Sequence, residues 1–144
     1  MSAYADSSFV VSLYVPDANS ARAVPVAKNQ PGPILASSVV VLEATNALEL
    51  RVFRGQGTRS NAARALEDFR IDIERGTFKV LPVPPSAWTA AEKLSLTHSA
   101  KIGTRSLDIL QVAIAIVFRA DTFLTFDRNQ ATLARAEGLQ TPIQ

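Results

Sequence analysis

Four short apolar segments, each of three to five residues, recur along the chain, separated by longer stretches with helical character. They are Ala3–Ala5, Ile34–Ala36, Thr77–Leu81 and Thr122–Thr125. Strands that alternate with helices imply a parallel sheet covered on both faces. The expected fold class is therefore α/β: a three-layer α/β/α sandwich around a short, mainly parallel central sheet. Helices are expected over Ser7–Tyr14, from Pro16-Asp17 to about Asn29, and through VVVLEATNALELRVFR up to Gly55. Further helices are expected from Thr58 or Ser60 to near Gly76, over Ser86–Ser99 with Trp88 in the core, over Leu107–Arg119, and over Arg128–Ala136. The breakers QPGP (Gln30–Pro33) and PVPP, and the loop RGQG, separate them. The tail Gln140–Ile143 is a candidate edge strand.

At 144 residues the chain has the size of one domain, with no internal repeat or linker, so residues 1–144 are read as a single unit. There is no cysteine, which excludes disulfides, thiolate nucleophiles and thiolate metal sites. The opening MSAYADSSFV lacks the basic and apolar regions of a signal peptide, and the most apolar stretch, LDILQVAIAIVF, carries Asp108 and Gln111. It reads as a buried helix rather than a membrane span. A cytoplasmic protein is the expectation.

The informative residues are acids in unusual company. Aspartate and glutamate are rarely buried unless they are paired or bound to a metal. Glu43 sits mid-helix with Val39, Val40 and Ala47 as its helical neighbours, which places it on the apolar face. Asp108 heads the most apolar helix. Asp6 and Asp127 directly follow strand segments, and sites in open α/β sheets form outside the carboxyl ends of the strands. Glu43 lies about five residues into its helix, roughly 7 Å along the axis at ~1.5 Å per residue; if that helix and the one headed by Asp108 both start at this edge, all four carboxylates can converge.

Such a cluster repels itself unless a cation is present, and an all-oxygen set suits Mg²⁺ or Mn²⁺ better than Zn²⁺. Thr125, two residues before Asp127, is placed to orient a carboxylate or a water. Three of the acids also have an ordinary reading, whereas Glu43, mid-helix on an apolar face, needs a partner. Asp6 and Asp127 could cap helices, and Asp108 could face a helix dipole. The net charge is only +2, carried by eleven Arg and four Lys against thirteen acids. With the four acids set aside, fifteen positive charges face nine negative ones, or +6, a surface able to hold a polyanion.

The segments YADSSFVVSLY, LEATNAL, RSLDILQVAIA and FLTFDRNQATLARAEGL, in this order, resemble the PIN-domain nucleases, and in particular the VapC toxins of toxin–antitoxin pairs. The resemblance covers essentially the whole chain. It implies a Mg²⁺- or Mn²⁺-dependent endoribonuclease with a quartet of acids matching Asp6 in ADSS, Glu43 in LEATN, Asp108 in SLDILQ and Asp127 in LTFD. Thr125 matches the family's hydroxyl residue near the fourth acid. A homodimer is implied as well, and so is a small VapB-type antitoxin whose tail enters the active-site groove. Gln111 is a departure, standing where many relatives carry His.

Two rivals stand beside this reading. A phosphate-accepting receiver domain would want paired acids after the first strand and a late lysine, whereas Asp6 is followed by Ser7-Ser8 and no lysine follows Lys101. A non-catalytic RNA- or partner-binding module of the same fold would survive loss of the carboxylates. His98, the sole histidine, has no nucleophile elbow for company and reads as a packing or surface residue. RGQG lacks the Lys-Ser/Thr of a phosphate loop.

Overall fold

The computed structural model of the chain describes residues 2–143. The elements run β1 (Ala3–Ala5), α1 (Ser7–Tyr14), α2 (Ser20–Lys28), β2 (Ile34–Ser37), α3 (Ser38–Phe53), α4 (Arg59–Glu74) and β3 (Phe78–Leu81). They continue as α5 (Pro85–Leu94), a π-helical turn (Ser95–Ser99), α6 (Ala100–Ile102), α7 (Ser106–Val117), β4 (Thr122–Leu124) and α8 (Arg128–Ala136). The strands form one sheet in the order β3-β2-β1-β4, every pair parallel.

That order decides the layers. Crossovers between parallel strands are right-handed, so the direction of each step selects a face of the sheet. The steps β1→β2 and β2→β3 run the same way, and α1 to α4 pack against one another. The step β3→β4 runs back past β1, and its helices α5 and α7, with α8, form a second packed group. The result is the α/β architecture expected, with a sheet that is parallel throughout.

The core lies on both faces of β1. Tyr4 stacks on Phe123 of β4 with ring centroids 5.8 Å apart, and Phe9 on Phe126 at 6.1 Å. Tyr14, Phe69 and Phe78 form an aromatic cluster beneath α4. In α7 every residue from Ile109 to Ala115 is buried, as expected of a run that is apolar but for Gln111.

Several expectations need correction. The second helix begins at Ser20, not Pro16-Asp17, because Asp17 Oδ1 accepts from the Asn19 N–H (2.8 Å) and the Ser20 hydroxyl (3.2 Å). Such local side-chain bonds compete with helical ones. The helix after PVPP starts at Pro85 and widens into the π-helical turn at Ser95, then tightens again until Gly103 ends it at φ +74°. No residue between Leu94 and Gly103 is a breaker, so the chain continues rather than stopping at Ser99. Trp88 is not core: it is 56% exposed, on the outer side of α5. The tail contributes only a bridge from Gln140 to Thr122, not a strand.

The buried helix and the outer apolar residues should respond differently to truncation. Ile114→Ala should lower the unfolding free energy by about 2–5 kcal/mol. Leu96→Ala, at a side chain 89% exposed, should change it by less than about 0.5 kcal/mol. Urea unfolding of the two variants checks this.

Candidate active site

In an open parallel sheet the crevice lies where the direction of strand order reverses. Here that point is between β1 and β4, since the chain leaves β1 toward β2 while β4 closes the other edge. A cavity of about 360 Å³ opens beyond the carboxyl ends of these two strands. Asp6, Glu43, Asp108 and Asp127 all line it. A cavity of about 400 Å³ beside α3 and α4 has Arg51, Arg64 and a single acid, Asp68, in its wall, and none of the four.

Two of the acids reach the cavity as helix N-caps and two from within helices. Asp6 follows β1 directly, and its N–H donates to Leu124 O at 3.1 Å, which ties it to β4. It is also the N-cap of α1: Oδ1 accepts from the Phe9 N–H (2.9 Å) and the Ser8 hydroxyl (2.7 Å). Asp127 is the N-cap of α8, accepting from the Gln130 N–H at 2.8 Å. Asp108 lies in the first turn of α7, 3.4 Å from Arg105 Nε. Glu43 projects from the second turn of α3, with its Oε1 hydrogen-bonded by the Gln111 amide nitrogen.

Thr125 joins the two strand ends. Its hydroxyl donates to Asp6 Oδ2 at 2.5 Å and accepts from the Asp127 N–H at 2.9 Å. Ser8 adds a second link, accepting from the Phe126 N–H at 3.0 Å. Both serve the arrangement of Asp6, and the role of Ser8 had no signal in the sequence beyond its place in ADSS.

The electrostatics couple the acids in a chain. Burial pushes the Asp6 carboxyl up to about 7, against the hydrogen bonds from Thr125, Phe9 and Ser8, and Asp127 adds repulsion. Burial raises Glu43 as well, opposed by the Gln111 hydrogen bond and reinforced by Asp108. Asp108 is raised by burial and by Asp127, and eased by Arg105. A site in which several carboxylates hold protons too tightly is one that a cation would relieve.

Among the described residues, however, no three Asp, Glu, His or Cys side chains stand close enough to hold an ion between them. The convergence expected from sequence is a shared cavity rather than a closed ligand set. Asp6 and Asp127 are each tied to a helix N-terminus by a capping bond, which limits how closely they can approach. The donor chemistry still fits a hard divalent cation: the cavity is walled by carboxylates, hydroxyls and amides, without His or Cys. Sequence reading missed a fifth acid at this cavity, Asp17, which the Asx turn before α2 carries there. It also missed Arg105, whose only signal was its position three residues before Asp108.

The sequence profile of the PIN domain matches residues 3–136. The chain belongs to the PIN domain family. PIN domains are nucleases as a family, and the cavity stands where this fold's β1 and β4 meet. Among solved structures, the fold is similar to that of Mycobacterium tuberculosis VapC20, described as a sarcin–ricin loop cleaving toxin. The TM-score is 0.74 at 17% identity, over 97% of this chain and 98% of that one. It is also similar to FitAcB of Neisseria gonorrhoeae, with a TM-score of 0.70 at 14% identity over 98% and 97% of the two chains. A third likeness is to VapBC2 of Rickettsia felis, bound to a DNA fragment from their promoter, with a TM-score of 0.66 at 18% identity over 98% and 97%. No curated protein matches the sequence significantly.

A carboxyl whose pKa is higher in the folded chain binds its proton more tightly there. Its stabilisation is complete below the ordinary carboxyl value and is lost as pH rises through the folded one, for Asp6 about 7. Metal-free protein should therefore melt at a lower temperature near pH 8 than near pH 5. Asp6→Asn keeps an oxygen to cap α1 and should remove most of that difference. Melting curves in EDTA at the two pH values check this, and an unaltered pH slope in the variant would assign the loss to another group.

Proposed function

We propose that this PIN domain is a Mg²⁺- or Mn²⁺-dependent endoribonuclease that acts in the cytoplasm as the toxin of a type II toxin–antitoxin pair. The observation that carries the reading is the placement of Asp6, Glu43, Asp108 and Asp127 around one cavity at the reversal point of the sheet. These four carboxylates are the groups that would hold the ion. When bound, a hard divalent cation lowers the pKa of a water and offsets charge on a phosphodiester under attack.

The chain's own residues do the rest. Thr125 and Ser8 hold Asp6 by hydrogen bonds to its two oxygens, so its carboxylate cannot rotate freely. Arg105, with a side chain 86% exposed at the rim beside Asp108, offers a guanidinium to a backbone phosphate of the RNA. The restoration of positive charge outside the site, +6 with the four acids set aside, favours a polyanionic substrate.

The relatives support the partners. VapC20 is described as cleaving the sarcin–ricin loop, and VapBC2 is a toxin–antitoxin assembly on promoter DNA. By likeness, this chain takes RNA as substrate and a small VapB-type antitoxin as inhibitor. Trp88 and Leu107, both exposed, share an apolar cleft between α5 and α7 that suits a second copy in a homodimer. Among the described residues no helix is long and apolar enough to cross a membrane.

The separation of the carboxylates favours one other reading, a binding module without catalysis. Purified protein free of any partner, incubated with total RNA in Mg²⁺, Mn²⁺ or EDTA, separates the two. Discrete fragments should form only with metal, and Asp6→Asn and Asp108→Asn should each lower cleavage by at least about 100-fold, since even partners of metal ligands matter by roughly 10–100-fold. RNA retained on the protein but left intact under every condition would establish the binding module instead.

A further inference from the structure

Glu43 is held by a chain of hydrogen bonds that begins in the core. Gln111 of α7 is wholly buried, and its Nε2 donates to Glu43 Oε1. The other end of the same amide, Oε1, accepts from the hydroxyl of Tyr4 at 2.7 Å. Tyr4 is wholly buried in β1, and its hydroxyl lies 2.9 Å from the hydroxyl of Ser37, itself buried at the end of β2. Ser37 stands at the start of α3 yet makes no capping bond there, because its side chain is turned inward.

The chain has a direction. A hydroxyl carries one proton, and that of Tyr4 is committed to Gln111, so Ser37 must donate to Tyr4. An amide has a donor end and an acceptor end of nearly the same shape. With the Tyr4 proton on Oε1, the NH₂ end is the one that faces Glu43. None of Ser37, Tyr4 and Gln111 lines the cavity, so these residues reach it only through Glu43. Buried polar side chains are costly unless their bonds are made, and here the last bond of the chain ends on a carboxylate of the site.

We propose that Gln111 is a positioning residue for Glu43, its amide oriented by Tyr4 and Ser37 so that one carboxylate oxygen is held and the other is offered to a divalent cation in the cavity. This rests on the metal-dependent reading given above. Ligating carboxylates are themselves held by outer hydrogen bonds, and loss of such a partner costs about 10–100-fold in metal affinity. Tyr4 would act through the amide alone, because it touches Gln111 and not Glu43.

The test is direct titration of Mn²⁺ alone into purified, partner-free protein, following the electron paramagnetic resonance signal of the free ion, with no RNA present. Gln111→Met keeps a side chain of similar volume without an amide and should weaken Mn²⁺ binding by roughly 10–100-fold. Tyr4→Phe keeps the ring in the core and should weaken it by a smaller factor. The double variant should bind no more weakly than Gln111→Met, a non-additivity that two independent packing defects would not produce. Wild-type affinity in a folded Gln111→Met protein, or additive losses in the double variant, would overturn the proposal. If Gln111→Met fails to fold by circular dichroism, Tyr4→Phe decides: weakened binding supports the chain and unchanged binding refutes it. Wild-type protein that binds no Mn²⁺ would overturn the metal-dependent reading itself, and this one with it.

Discussion

The pairing of β1 with β2 on one edge and β4 on the other joins the first residues of the chain to its last third. β1 has only three residues, and its ladder to β4 matches Ala3, Tyr4 and Ala5 to Thr122, Phe123 and Leu124. Because the register is set there, Asp6 and Thr125 emerge side by side, and the hydroxyl–carboxylate bond between them follows. The same pairing sends the crossovers to opposite faces of the sheet, so α3 and α7 approach the cavity from different sides with Glu43 and Asp108. A slip of one residue along this ladder would turn Tyr4 out of the core and separate Asp6 from Thr125 at once.

The acids of the cavity serve the fold and the site together. Asp6 and Asp127 each satisfy one free N–H group, of α1 and α8 respectively, which keeps them at the ends of strands beside the cavity. Capping also limits how far they can move toward one another. Arg105 and Gln111 do the same for Asp108 and Glu43, each offsetting part of the cost of bringing a carboxylate out of water. Among the described residues, the cavity is lined by five acids without a closed ligand set.

Much of this was legible in the chain. The strands could be read because short apolar runs end at turn residues, and the boundaries of β1, α1 and α8 agree with the structure residue for residue. Glu43 stood out because an acid on an apolar helical face needs a partner. Which partner it has could not be read, because Gln111 lies 68 positions away on another helix. Trp88 was misassigned for a related reason: how far neighbouring elements cover a face of α5 depends on the tertiary packing, which leaves this ring 56% exposed. The π-helical turn after Leu94 also left no mark, since no breaker stands within Ser95–Ser99.

Sequence alone therefore determined the alternation of strands and helices, the parallel sheet, and the identity of the acids that end strands or interrupt apolar faces. Those properties depend on periodicity, turn chemistry and capping, all of which act over a few residues. Only the tertiary structure decided that Tyr4, Ser37 and Gln111 form one directional chain, that Asp17 and Arg105 share the cavity, and that the carboxylates stand apart. Those facts depend on the order of strands in the sheet, which brings together residues far apart along the chain, and on a dry interior where each buried polar group must find its particular partner.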